Sequence, residues 1–113
     1  MLPKSHRIPS PIIRTVLQSR QRVRNDVLEC IFAPNKTTTS RFAVIVSLKR
    51  DKRAVKRNRM RRLIHESIHH LLPTIAGGWD CVVIVQKNIA GYRQIDMETA
   101  MRLFLNKAGL TIS

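Results

Sequence analysis

Apolar residues recur along this chain with a helical period in some stretches and as short strand-like runs in others. Helical spacing after a Ser-Pro pair, a typical helix start, predicts a short helix over 10–19. Apolar residues then become more frequent and form a strand pattern over 23–32. A polar loop follows over 34–40, and residues 42–46 form an apolar run typical of a buried strand. The first part of the chain is therefore predicted to form one helix followed by strands.

The strongest helical pattern covers residues 54–72 and has two distinct faces. Arg57 falls near the apolar arc, so its side chain is expected to act at the helix start. Pro73 and the Gly77-Gly78 pair end the helix. On a helical wheel the apolar arc contains Met60, Leu63, Ile64, Ser67, Ile68 and Leu71, and the opposite arc contains Asn58, Arg61, Arg62, His65, Glu66 and His69.

The last third of the chain contains one more strand and one more helix. Residues 81–85 are apolar without alternation, which is typical of a central strand covered on both faces. Asp96 is predicted to open a final helix, with Gly109 as its stop. Asp96 and Glu98 stand at its start and are interpreted as an N-terminal cap and a complement to the helix dipole.

The element order predicts an α/β protein in which one small sheet packs against helices. A length of 113 residues allows one domain with a modest core, and a hydrophobic share of 43% argues against disorder. No repeat or internal boundary is present, so 1–113 is interpreted as a single domain. Its ends, 1–8 and 110–113, are expected to be loosely ordered.

Positive charge is concentrated in the first half of the chain. The net charge is +14, and residues 1–62 hold seventeen Lys and Arg against three acids, whereas 63–113 hold four against four. Nine of the basic residues lie between Lys49 and Arg62, where Asp51 is the single acid. Such a one-sided distribution indicates a polyanionic partner. Nucleic acid is the first candidate, an anionic membrane the second and an acidic protein the third.

The basic run continues directly onto the helix predicted over 54–72, which presents its charges in fixed register. Arginine forks pair bidentately with phosphate oxygens, and the helix N-terminus adds its own positive dipole. Asn58 can donate to phosphate and accept from a ribose 2′-hydroxyl. A merely solvated helix normally intersperses Glu, and none occurs here before Glu66. We therefore predict nucleic-acid contacts, to RNA or DNA, from Lys49, Lys52, Arg53, Lys56, Arg57, Asn58, Arg59, Arg61, Arg62 and His65.

The sequence shows no catalytic constellation and no metal site. Residues 65–69 match the zinc-protease pattern H-E-x-x-H, but Arg61 and Arg62 share that face and would place a dication in a positive field. No Gly and third His follow at the spacing of the extended motif, so the two histidines are interpreted as part of the polar stripe. The seven acids are scattered rather than clustered as Mg²⁺ ligands.

Several features favour a cytoplasmic location. No apolar run approaches the roughly 18 residues of a membrane span. The N-terminus lacks the apolar segment of a signal peptide. Cys30 and Cys81 lie in strand-like runs and are predicted to be buried, reduced thiols. No tightly bound cofactor, membrane partner or small-molecule substrate is expected.

Three consecutive segments together resemble the bacterial ribonuclease P protein component. They are a strand over 41–47 that leads into Ser-x-Lys, an Ala54-Val55 pair preceded by Lys-Arg, and the run Arg-Asn-Arg-Met-Arg-Arg over 57–62. The similarity extends over nearly the whole chain, from Arg7-Ile8 to the Ala-Gly-Leu ending at 108–110.

The resemblance implies an α-β-β-β-α-β-α fold with a mixed sheet and a left-handed crossover around the basic helix, an exception to the usual hand. A third strand before that helix implies that 22–33 is split. In function, it implies the protein subunit of a ribonucleoprotein. The catalytic RNA and its Mg²⁺ ions cut the 5′ leader from precursor tRNA, and the protein binds that RNA through the Arg-Asn-Arg helix. Ribonuclease P activity would then belong to the holoenzyme, without catalytic residues in this chain.

The family holds the unpaired leader between its first helix and the sheet, usually with two Phe and one Tyr. This chain has Ile13, Leu17 and Ile31 at those positions, so plain apolar contact would replace base stacking. The leader cleft is accordingly predicted to contain Arg7, Ile13, Arg14, Leu17 and Ile31. The alternatives are a ribosomal or other structural-RNA-binding protein, and an independent metalloprotease or nuclease.

Overall fold

The computed structural model of the protein describes residues 2–112, and Met1 and Ser113 lie outside the described part. Within it, three helices and four strands follow the order α-β-β-β-α-β-α, which confirms the predicted fold class. Two short 3₁₀ turns, Lys4–His6 and Leu72–Thr74, precede α1 and follow α2. The elements are α1 Ser10–Leu17, β1 Arg22–Arg24, β2 Leu28–Pro34, β3 Arg41–Ile45, α2 Ala54–Leu71, β4 Trp79–Val85 and α3 Gln94–Lys107.

The four strands form one mixed sheet in the order β1-β2-β4-β3. β2 is antiparallel to both β1 and β4, whereas β3 and β4 are parallel neighbours joined through α2. The single strand that the apolar pattern predicts over 23–32 is therefore wrong. Asn25 ends β1, because its side-chain oxygen accepts the backbone N–H groups of Val27 and Leu28 at 2.8 Å each and turns the chain.

Helices cover both faces of the sheet. α2 and α3 bury the larger cluster, in which Phe42 and Met60 are almost fully enclosed. α1 buries a smaller cluster on the opposite face through Val16 and Val82. β4 lies between β2 and β3 and contributes alternate residues to both clusters, as predicted for a central strand.

The apolar arc predicted for the second helix is confirmed residue by residue. α2 begins at Ala54 and ends at Leu71, just before the 3₁₀ turn that contains Pro73. Because these side chains enter the core, the basic arc faces away from it. The buried residues of α2 are Met60, Leu63, Ile64, Ser67, Ile68 and Leu71.

Both described ends of the chain contain residues that pack against the domain. Leu2, Ile8 and Leu110 are buried. The backbone N–H of Ile112 donates to the Thr74 carbonyl at 2.7 Å. No local sequence pattern predicts these contacts, because they join residues that are far apart along the chain.

α3 starts two residues earlier than predicted, at Gln94. Asp96 therefore lies in the first turn and makes no cap. It accepts from the Arg93 guanidinium at 2.8 Å, and this hydrogen bond lowers the pKa of the Asp96 carboxyl. Glu98 is turned towards α2, where its carboxylate lies 3.0 Å from Nδ1 of His70.

Cys30 and Cys81 are free thiols and fully buried, on neighbouring strands of the sheet. A hydrogen bond to Cys30 and then burial raise the pKa of the Cys81 thiol well above its usual value. Cys81 therefore stays protonated at neutral pH, as a small core residue.

Candidate nucleic-acid interface

The start of α2 is held in place by the single acid of the basic run. The Asp51 carboxylate accepts from the Arg53 backbone N–H at 2.9 Å, from the Arg53 guanidinium at 2.8 Å and from the Asn88 amide at 3.0 Å. Its side chain is only 6% exposed. The guanidinium of Arg53 holds the pKa of Asp51 far below its usual range. Asp51 thus positions the start of α2, and little of its negative charge is exposed to a ligand.

Two arginines of α2 are engaged in holding the fold. Arg57 donates to the carbonyls of Asp51 at 3.1 Å and Lys52 at 2.8 Å, so it acts at the helix start as predicted. Arg59 reaches the loop before α3, where its Nε donates to the Ala90 carbonyl at 2.5 Å and its Nη2 lies 3.4 Å from the Tyr92 carbonyl. A helical wheel could not show this attachment, because it joins residues far apart along the chain.

The side chains of four other basic residues of the run make no hydrogen bond or ion pair within the described residues. Lys49, Lys52 and Arg62 are exposed, and Lys56 is half-buried. They extend from the loop before α2 to the third turn of the helix. Ammonium and guanidinium groups placed in this way are available to phosphate oxygens without first breaking an internal contact.

A stripe of polar residues continues along the exposed side of α2. Asn58, Arg61, Arg62 and His65 follow at helical spacing and line a pocket of about 220 Å³. Nη1 of Arg61 donates to Oδ1 of Asn58 at 2.6 Å. Burial, followed by the positive charges of Arg7 and Arg61, lowers the pKa of the half-buried His65. The stripe therefore combines charged groups with one neutral imidazole.

The two histidines of the H-E-x-x-H match differ in their surroundings. His65 is half-buried and His69 is exposed. In residues 2–112 no group of three His, Cys, Asp or Glu side chains is placed to hold a metal ion. Ser67, between them in sequence, points into the core and donates to the Leu63 carbonyl at 2.8 Å.

The predicted leader-cleft residues divide into two groups. Ile13 and Leu17 are half-buried between α1 and the sheet, on the face of Val82. Ile31 pairs with Val82 in register and points the same way, but it is only 3% exposed and offers little surface. Arg14 is exposed on α1.

Arg7 lies apart from that group, beside β3. It forms a β-bridge with Phe42 and lines a separate cavity of about 430 Å³ together with Lys4 and Arg41. The structure therefore does not place Arg7 with Ile13 and Leu17.

A second row of residues lies on the same face of the sheet as Ile31 and was missed from the sequence. Glu29, Ile84 and Ile45 are neighbours in register and are half-buried. Arg24 continues the row on β1. Glu29, Ile84 and Ile45 each lie two residues along their strand from a residue that faces α1. Because side chains alternate between the two faces of a sheet, this spacing could have identified them from the sequence.

The structure separates two arginines that the sequence treats alike. We expect Arg59→Ala to lower the free energy of unfolding by about 1 kcal/mol, because it removes the charged donor to Ala90. Arg62→Ala, which loses no internal contact, should change it by less than about 0.5 kcal/mol. Urea denaturation of both variants measures this difference. Equal stability of the two variants would show that the Arg59 attachment contributes nothing.

The fold and the α2 surface together define a small α/β nucleic-acid-binding protein. The chain belongs to the ribonuclease P protein family, whose family model, described as Ribonuclease P, matches residues 2–109.

Relatives and solved structures agree with this assignment. The ribonuclease P protein component of Xanthomonas oryzae pv. oryzae is 33% identical over 107 residues, which cover 95% of this chain and 73% of the relative. That of a Picosynechococcus strain is 34% identical over 88 residues, covering 77% and 76%. The RNase P protein of Staphylococcus aureus superposes with a TM-score of 0.83 at 22% identity, covering 96% of this chain and all of that one. That of Thermotoga maritima gives 0.76 at 21%, covering 88% and 96%.

These similarities confirm the family resemblance seen in the sequence. The protein is an RNA-binding subunit of ribonuclease P and takes part in tRNA processing. The α2 surface is thereby an RNA-binding candidate rather than a DNA-binding one. Among the described residues, no helix has the length and apolarity needed to cross a bilayer.

Proposed function

We propose that α2 binds the catalytic RNA of ribonuclease P and that the face beside α1 holds the 5′ leader of precursor tRNA, in the cytoplasm. The observation that carries the first part is the set of cations without internal partners at the start of α2, next to an acid that is already engaged. Phosphate contacts of this kind provide affinity and orientation without reading sequence.

The α1 face suits a flexible single strand better than a folded RNA. Ile13 and Leu17 are half-buried aliphatic side chains along the edge of α1, with Ile84 beside them on the sheet. Arg14 is an exposed cation on the same helix and can reach a phosphate. Apolar contacts to bases with one cation beside them would hold a leader without strong sequence preference. Ile31, being covered, would form the floor beneath this contact.

The chemistry is assigned to the RNA and its Mg²⁺ ions. The described residues offer no cluster of carboxylates to hold the metal. The role of the protein is to offset phosphate repulsion between the catalytic RNA and the precursor, which otherwise requires more divalent cation. The benefit of the protein should therefore be largest where Mg²⁺ is scarce.

Reconstitution tests this proposal. Precursor tRNA is incubated with the cognate large RNA at limiting Mg²⁺, with and without the chain, and 5′ cleavage is measured. We expect cleavage to rise by about tenfold or more with the protein, and the rise to shrink as Mg²⁺ is increased. The complex of protein and large RNA should bind a tRNA without the leader less tightly than the precursor, because the contacts with the face beside α1 are lost. Unchanged cleavage at limiting Mg²⁺ would contradict the proposal.

A further inference from the structure

The pocket on the exposed side of α2 has a size that suits one ring system. It lies between Asn58, Arg61, Arg62 and His65, on successive turns of the helix. Its volume of about 220 Å³ is below the roughly 300–1,000 Å³ typical of sites for drug-sized ligands. We call it the His65 pocket.

The lining of the His65 pocket is unusual for a surface so rich in charge. Although all four residues are polar, carbon atoms form almost all of the exposed lining. The Arg61 guanidinium is turned to Oδ1 of Asn58, 2.6 Å away. A phosphate requires N–H groups at the bottom of its site, whereas a flat base requires carbon surface and planar neighbours. The cations around the pocket can then bind the phosphate attached to that base.

The polar groups around the His65 pocket that lack a partner include several hydrogen-bond donors. Oδ1 of Asn58 accepts from Arg61, and the amide N–H₂ makes no hydrogen bond within the described residues. Nδ1 of His65 is buried and has no hydrogen-bond partner, so a proton there would be unpaired, and we assign the proton of the neutral ring to Nε2. Arg62 adds a guanidinium that has no internal partner in the described chain.

We propose that the His65 pocket receives one unpaired guanine of the RNA that binds along α2. Guanine presents two adjacent acceptors, O6 and N7, and an arginine fork is their commonest protein partner. Arg62 would donate to this pair, while the neutral imidazole of His65 and the Asn58 amide complete the donor set. This inference rests on the proposed function, because it identifies what the α2 site reads in its RNA.

A set of single-stranded RNAs tests the base preference directly. The probes are 12-nucleotide oligouridylates in which one central position is U, C, A or G, and binding to the full chain is measured by fluorescence anisotropy at low salt. We expect the guanosine probe to bind at least about fivefold more tightly than the other three. Equal affinity for all four probes would overturn the proposal.

Variants connect that preference to the pocket. His65→Ala and Asn58→Ala should each lower the affinity for the guanosine probe to that of the other three probes measured with the same variant. Lys52→Ala is the matched control, since it should weaken all four probes equally and keep the preference. Asn58 is exposed, so that variant remains informative if His65→Ala unfolds. A preference that survives both pocket variants would overturn the proposal. If the unmodified chain shows no salt-dependent binding to any of the probes, the proposed function is overturned as well.

Discussion

Replacing Lys49, Lys52 and Arg62 together by Ala is expected to flatten the salt dependence of binding to the catalytic RNA by about two to three units of log–log slope. Each phosphate contact releases counterions and contributes about 0.7–0.9 to that slope. The three side chains are exposed and have no internal partners in the described chain, so their removal should leave the fold intact. Titrations of RNA binding between about 50 and 200 mM salt measure the slope.

A second triple variant controls for net charge. Lys87, Arg102 and Lys107 are also exposed, but they belong to the neutral half of the sequence. Replacing them by Ala changes the charge of the protein by the same amount and should leave the slope almost unchanged. If both variants lower the slope equally, binding depends on overall charge and α2 is not a localised site.

Asp80→Ala should destabilise the protein by about 3 kcal/mol, the largest effect on stability that we expect from a single change. The Asp80 carboxylate accepts from Nε and Nη2 of Arg41 at 2.8 and 2.7 Å and from the Asn35 amide at 2.9 Å. It thus joins β4, β3 and the loop between β2 and β3. Asp80 is buried, and the hydrogen bond to it raises the pKa of Arg41. Its removal leaves a largely covered guanidinium without a counter-charge.

The exposed pair of Arg93 and Asp96 provides the matched comparison. Their side chains are 79% and 52% exposed, so Asp96→Ala should leave the free energy of unfolding nearly unchanged although the contact is equally short. Denaturant titrations of both variants give the two values. A loss at Asp80 no larger than that at Asp96 would show that burial of the Arg41 pair does not matter here.

Local periodicity was sufficient for most of the fold. The wheel over 54–72 identified every buried residue of α2, because burial along a helix follows its period and the core lies on one side. The unbroken run 81–85 likewise indicated a strand covered on both faces. The turn at Asn25 was missed, because one side-chain hydrogen-bond acceptor interrupts a stretch whose apolar pattern continues through it.

The candidate site was predictable as a set of residues but not as a set of roles. The sequence placed nine basic residues in one short run. It could not distinguish Arg59, which reaches a carbonyl thirty-one positions away, from Arg62, which faces solvent. It also grouped Arg7 with Ile13, although the fold places them beside different strands.

The local pattern of the sequence therefore determined the order of the elements apart from the division between β1 and β2. It also determined the buried side of α2 and the density of positive charge on the other side, because these depend on neighbours within a few residues. Only the tertiary structure decided which cations are free to bind RNA, which acid is hidden and where Ile31 lies. Each of these depends on contacts between segments that are distant along the chain, and no local pattern records them.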